Sequence, residues 1–472
     1  MPRPPVVPHR RGMVDIAPRQ TTTAAPFGGR ASMARTSTDA IARTTTGAPT
    51  PSRAPRRELP VIGGARDIAI DTTRSILLVI VVALHAFMVG VSLDVNGTPL
   101  LENAMEHWSG WPVLTWFAQV MPLFFVLGGF ASYTQYSRLR ARGTTASAYI
   151  SSRLVRLLIP AGAAIAAVTV FLAVLTVTGV SPDVIATAGF RISQPFWFLA
   201  VYIGVTALVP AMVWLHERNT TLSLLTLALG AVVVDIVRVA TDIPAIGLLN
   251  LAFVWLFAQQ LGFALADGTL DRLGVRAQRV IGVGAVATLA LTMLTGFYPT
   301  DLYAALNPPM AALVLLGIAQ TMLFLQLRAG LRRFGALPGI ARVTCWIGDR
   351  SMTIYSWHML VTIAIAGALI IAPFSLPTPV SLDWWLTRPL WFVAVGFAVF
   401  LVASLAGRLE RRRVTAPAGR VATVAATLLA IAGVVATLII GSVGAVWVIA
   451  TAAVALALAL VARRAPREIS SR

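Results

Sequence analysis

The chain has 472 residues, of which 57% are hydrophobic and only 12% charged, and its net charge is +19. A soluble domain is typically about 25% charged, so there is too little polar surface to coat a water-soluble globule of this length. A soluble enzyme, a disordered protein and a disulfide scaffold are excluded, the last because the lone Cys345 has no partner for an internal bridge. A polytopic membrane protein remains.

Residues 1–66 are rich in Pro, Arg, Thr, Ala and Ser and lack hydrophobic periodicity. They read as a disordered basic tail, and with no apolar core they are not a signal peptide. From residue 73 onward, apolar stretches long enough to cross roughly 30 Å of hydrocarbon fall near 75–94, 112–136, 154–179, 195–215, 221–238, 246–266, 278–298, 308–327, 352–374, 387–407, 421–441 and 443–462. Lipid offers an unpaired backbone group no partner, so all twelve are predicted to be helices. The fold class is an all-α polytopic transmembrane bundle. Ten core helices fill residues 67–410. Residues 411–472 hold a basic loop, a C-terminal two-helix hairpin and a short tail.

The basic residues are all Arg, and they orient the bundle. With the N-terminus inside, every Arg lies on the inner side except Arg191, Arg238 and Arg388. Both termini are therefore expected to be cytoplasmic. The positive charge reads as a topology signal rather than as nucleic-acid binding. Absence of Lys and abundance of Ala and Arg suggest a GC-rich bacterial genome, hence a multi-pass protein of a bacterial plasma membrane.

His85 is the lone ionisable residue in the apolar run of the first helix. Arg74 precedes it by eleven residues, about 20° past three full turns and a rise of roughly 16 Å, so both lie on one face. His85 is placed near mid-membrane, where an ionisable side chain is a functional candidate and a neutral imidazole can accept a proton. In the second helix, Met121-Pro122-Leu-Phe-Phe-Val-Leu-Gly128-Gly129-Phe130 carries two glycines best read as packing sites. Arg153 and Arg156 open the third helix at i, i+3, either as guanidinium forks for phosphate or as headgroup anchors. The Gln194-Pro195-Phe196-Trp197-Phe198 cluster reads as an interfacial aromatic belt. Ser351, Tyr355 and His358 fall on one stripe of the ninth helix and should face the bundle. Asp235 and Arg238 read as a local ion pair, and Cys345 as a small inner-side hydrophobe.

The ordered set resembles the acyltransferase-3 family of integral membrane acyltransferases. It comprises Asp71-Thr-Thr-Arg74 with ten residues to His85, Pro122 to Phe130, Arg153-x-x-Arg156 before Pro160, Trp197-Phe198-Leu199, and Ser351-x-x-x-Tyr355-x-x-His358. The resemblance covers roughly residues 67–407. Gly128 stands where the family usually has Ser, which puts a role for that hydroxyl in doubt. The family's frequent extracytoplasmic SGNH-type domain is not expected here. The resemblance implies transfer of an acyl group, commonly acetyl, from cytoplasmic acyl-CoA to a hydroxyl of a carbohydrate or lipid-linked glycan. No metal is implied. In that reading Arg74, Arg153 and Arg156 hold the donor's phosphates. His85 acts as general base or transient acyl carrier, and Tyr355 and His358 orient groups or stabilise charge. A proton-coupled exporter of a glycan or small molecule is the alternative, although no repeat of two six-helix halves is evident.

Overall fold

A computed structural model describes residues 67–93, 99–372, 376–408 and 418–462. The N-terminal tail, most of the basic loop after Arg408 and the last ten residues lie outside the described residues. Among the described residues, twelve helical segments are long and apolar enough to cross a membrane, matching the twelve expected.

Asp67 caps α1 (Ile68–Met88), its carboxylate accepting the Ala69 N–H at 3.0 Å. The helix ends six residues earlier than expected, because the β-branched alternation after Met88 forms β1 (Val89–Leu93). This strand pairs antiparallel with β2 (Pro99–Asn103), Val89 opposite Asn103. The hairpin is the one sheet among the described residues, and it leaves His85 in the last turn of α1 rather than midway along a longer helix.

The second span is two helices, α2 (Trp111–Ala118) and α3 (Met121–Ala141), separated at Gln119 and Val120. Pro122 brings no N–H to a ladder, so the interruption falls just before it. α4 (Ala146–Val177) is capped by Thr145. α5 (Pro182–Ser193) then meets α6 (Phe196–Arg218) at a second interruption, Gln194-Pro195. α7 (Thr220–Thr241), α8 (Asn250–Ala266), α9 (Val275–Leu294) and α10 (Ala312–Gly335) follow. α11 (Pro338–Gly348) buries no residue fully and lies along α1. α12 (Ser351–Ile371), α13 (Leu382–Ala406), α14 (Arg420–Ile440) and α15 (Gly444–Val461) complete the chain.

α3 and α8 form the tightest pair, and Gly129 and Gly262 permit it. A Cβ on Gly262 would sit 2.0 Å from the Val126 carbonyl oxygen, and one on Gly129 would sit 2.4 Å from that of Gln259. Buried Gln259 and Gln260 donate to the Val205 and Met212 carbonyls of α6 at 3.0 and 2.9 Å, joining α8 to α6 by the polar contacts that lipid cannot supply. Gly129 is thus a packing site, as read from the sequence, and Gly262 is its counterpart on α8.

The C-terminal hairpin is integrated with the bundle. α15 packs along α4 and α14 along α6. The Thr169 and Thr451 hydroxyls meet at 3.0 Å, and a Cβ on Gly189 of α5 would lie 2.4 Å from the Gly441 carbonyl oxygen at the hairpin turn.

Candidate active site

The two interrupted helices flank a cavity of about 30 Å³ between them and α1, room for about two waters. His85 lines it from α1 and Tyr355 from α12. Gln119 and Met121 come from the first interruption, Pro195 and Trp197 from the second. Non-helical backbone within a bundle is tolerated where it lines a cavity and finds other partners. Here the partners are visible. Gln320 of α10 donates to the Gln119 carbonyl at 2.7 Å and accepts the Leu123 N–H at 3.1 Å. The Gln119 amide donates to the Leu302 carbonyl at 3.2 Å.

Leu302 belongs to the connection between α9 and α10, residues 295–311, which dips back and contributes Tyr303 and Leu306 to the cavity wall. It is held on one side by Thr115, whose hydroxyl accepts the Leu302 N–H at 3.1 Å, and by Trp111, which donates to Asp301 at 3.1 Å. On the other side Asp235 accepts from the Tyr298 hydroxyl at 2.9 Å and from the Ala311 N–H at 2.7 Å. Asp235 also accepts from Asn250 at 2.9 Å. The expected Asp235–Arg238 ion pair is therefore replaced: the carboxylate is buried and turned toward the connection.

His85 and His358 meet beside this cavity, with ring centroids 5.0 Å apart. His85 Nδ1 lies 2.8 Å from the Val81 carbonyl oxygen, and His358 Nδ1 lies 2.6 Å from that of Tyr355. A carbonyl only accepts, so each Nδ1 carries hydrogen and each neutral ring presents a lone pair at Nε2. His358 is fully buried and its Nε2 has no hydrogen-bond partner within the protein. The Tyr355 hydroxyl donates to the Pro195 carbonyl, fixing α12 against the second interruption.

The aromatic cluster after Pro195 is not an interfacial belt. Phe196 and Phe198 are buried, and Phe198 packs on Phe125, Tyr202 and Tyr355 with centroids 5.1 to 5.2 Å away for Phe125, Tyr202 and Tyr355. Apolar rings beside a helix interruption fill the space that a continuous backbone would occupy. Gly128 faces the same Tyr202: a Cβ there would lie 3.3 Å from its ring, so the phenol fills the space a serine would take.

Arg74, Arg153 and Arg156 are not drawn to the histidines. Arg74 is half-buried on α1. Arg153 is half-buried on α4, its guanidinium 5.8 Å from the Tyr149 ring centroid, and Arg156 is exposed. α1 and α4, which carry these guanidinium groups, both pack against α12, the helix of Tyr355 and His358. Cys345 is exposed on α11, not packed as a hydrophobe.

A family model described as an acyltransferase domain matches residues 67–408, most of the chain. The chain belongs to the acyltransferase-3 family. It is a multi-pass membrane acyltransferase, and the hairpin α14–α15 lies beyond the matched segment of this acyltransferase-3 protein. No curated protein matches the chain, and no solved structure does.

Gln119, Gln320 and Tyr303 were not singled out in the sequence. A lone Gln three residues before Pro122, inside an apolar run, is the signal that marks the first interruption.

Proposed function

We propose that this acyltransferase moves an acetyl group from cytoplasmic acetyl-CoA to a hydroxyl of a carbohydrate or lipid-linked glycan, in a bacterial plasma membrane with both termini inside. One observation carries the reading. Two histidines, each with Nδ1 tied to its own helix, stand beside a cavity between two interrupted helices, and His85 lines that cavity.

His85 Nε2 takes the proton from the acceptor hydroxyl as its oxygen attacks the thioester carbonyl. The carbon–sulfur bond then breaks, and the CoA sulfur leaves with the proton returned by the imidazolium. His358, with its own Nε2 unpaired, supports the charge that develops on His85. Tyr355 holds the wall opposite. Arg74, Arg153 and Arg156 bind donor phosphates at the inner end. The rise from Arg74 to His85 along the unbroken α1 is roughly 16 Å, a span suited to the extended pantetheine arm. A cavity of about 30 Å³ is too small for thioester and sugar together, so the substrates must part its walls on entry.

The test is direct. Membranes containing the protein are incubated with acetyl-labelled acetyl-CoA, and label is followed into the carbohydrate fraction. Transfer that depends on the protein supports the reading. Label confined to free acetate and CoA ester contradicts it.

A further inference from the structure

Arg388 is one of three Arg expected on the side away from the Arg-rich ends. A membrane protein places cations there against the usual bias. Arg388 also faces the bundle rather than lipid. Trp384, Trp391 and Val395 are buried and share its stripe of α13, at i−4, i+3 and i+7, whereas Leu386, Leu390 and Val393 on the other faces are exposed.

Its guanidinium lies between two indoles, 4.2 Å from the Trp384 ring centroid and 5.4 Å from that of Trp391. Nε–H donates to the Trp384 carbonyl at 3.2 Å. Among the described residues no carboxylate lies within salt-bridge distance, and the terminal N–H groups have no partner. A half-buried cation held over two indoles, with its terminal N–H groups unused, is suited to receive an oxyanion. The site adjoins the histidines: Trp391, one turn along the helix, donates through Nε1 at 2.8 Å to the carbonyl of Ala86, the residue after His85.

We propose that Arg388 forms a second subsite that binds an oxyanion, a phosphate or carboxylate, carried by the acceptor on the same molecule as the hydroxyl to be acylated. This inference rests on the reading that the acceptor reaches His85 from this side. It narrows the acceptor class from glycans in general to anionic ones. The same chemistry is available from the headgroup of an anionic lipid, and the experiment separates the two sources.

Full-length protein in phosphatidylcholine nanodiscs is titrated with glucose 6-phosphate, and with methyl glucoside as the neutral control, following tryptophan fluorescence. The expected result is saturable binding of the phosphorylated sugar alone, weakened about tenfold or more in Arg388→Gln. Arg388→Met, which keeps an apolar stem between the indoles, guards against loss of folding and is expected to behave alike. Equal responses to both sugars, or an unchanged response in both variants, would overturn the subsite. Nanodiscs containing phosphatidylglycerol form the second arm. Retained binding supports an acceptor subsite, and binding abolished by the lipid assigns the pocket to a headgroup and overturns the acceptor assignment. Labelled acetyl transfer is measured on the same preparations. Arg388-dependent binding with no transfer to any sugar would leave the anion site standing and contradict the transferase reading of the acceptor.

Discussion

The imidazole rings of His85 and His358 lie 5.0 Å apart although one closes α1 and the other sits in the second turn of α12. Both have Nδ1 tied to a carbonyl of their own helix, yet only His85 lines the cavity. The two are therefore unequal. His358→Ala is expected to lower kcat about 10- to 100-fold with little change in the KM for acetyl-CoA. A rise in KM at unchanged kcat would place His358 in donor binding instead.

Tyr355 ties α12 to the Pro195 carbonyl. Tyr355→Phe removes one of two donors to that carbonyl, which keeps the Phe198 N–H at 3.2 Å, at a cost of about 0.5–1.5 kcal/mol. A lowered Tm, together with a several-fold fall in transfer rate, is the expected outcome in detergent-solubilised protein. Unchanged Tm and rate would mean that the bond neither holds the wall nor matters to turnover.

The hairpin turn presses its Gly441 carbonyl against Gly189, five residues before Gln194 on the same helix-to-interruption segment. Gly189→Val should push the hairpin away and loosen the Pro195 wall. The expected result is an inserted, monodisperse protein with reduced kcat. Normal turnover per folded molecule would show that α14 and α15 do not support the site.

Close approach of α3 and α8 predicts opposite signs for two glycine changes. Gly262→Ala places a methyl 2.0 Å from the Val126 carbonyl oxygen, where backbone must move, and should lower Tm and yield sharply. Gly284→Ala in α9 meets nothing within 4 Å and should stabilise by about 0.5–1 kcal/mol through helix propensity alone. Thermal melts of the two variants in one detergent check both.

At the Arg-rich end, Asp67 caps α1 and accepts from Arg328 of α10 at 2.6 and 3.2 Å. Burial alone would raise its pKa, but the Arg328 bonds and charge outweigh it, so the carboxyl is held below its ordinary value of 3.8. A depressed carboxyl stabilises the folded state above that ordinary value, and the contribution is lost as pH falls through the lowered one. The contribution of this group to Tm should therefore be full and constant between about pH 5 and 8, and Tm should fall in more acid buffer. Asp67→Asn should lower Tm at neutral pH and flatten the acid limb. An unaltered acid limb in that variant would assign it to other carboxylates.

Much of the fold was legible because apolar length alone decides what can cross a bilayer. The departures have local causes. α1 stops at Met88 because strand-forming residues follow, a choice that hydropathy does not distinguish from more helix. The second span breaks at Gln119 because Gln320 and Leu302, distant in sequence, satisfy the backbone freed there. Trp197 and Phe198 looked like a belt because aromatic composition at a helix start is the same for rings facing lipid and rings filling a cavity wall. His85 could be singled out as an isolated ionisable residue, and His358 as part of a polar stripe. Their meeting could not be seen, since it depends on how α1 and α12 pack. Arg388 showed only as an exception to the charge bias, and its two flanking indoles gave that exception a shape.

The central claim is that His85 Nε2 removes the acceptor proton. It is tested most directly by comparing acetyl transfer from labelled acetyl-CoA by wild-type protein and by His85→Ala, purified and reconstituted side by side. A fall of about 10²- to 10⁴-fold with unchanged folding and insertion is predicted. Transfer by the variant within twofold of wild type would contradict the account.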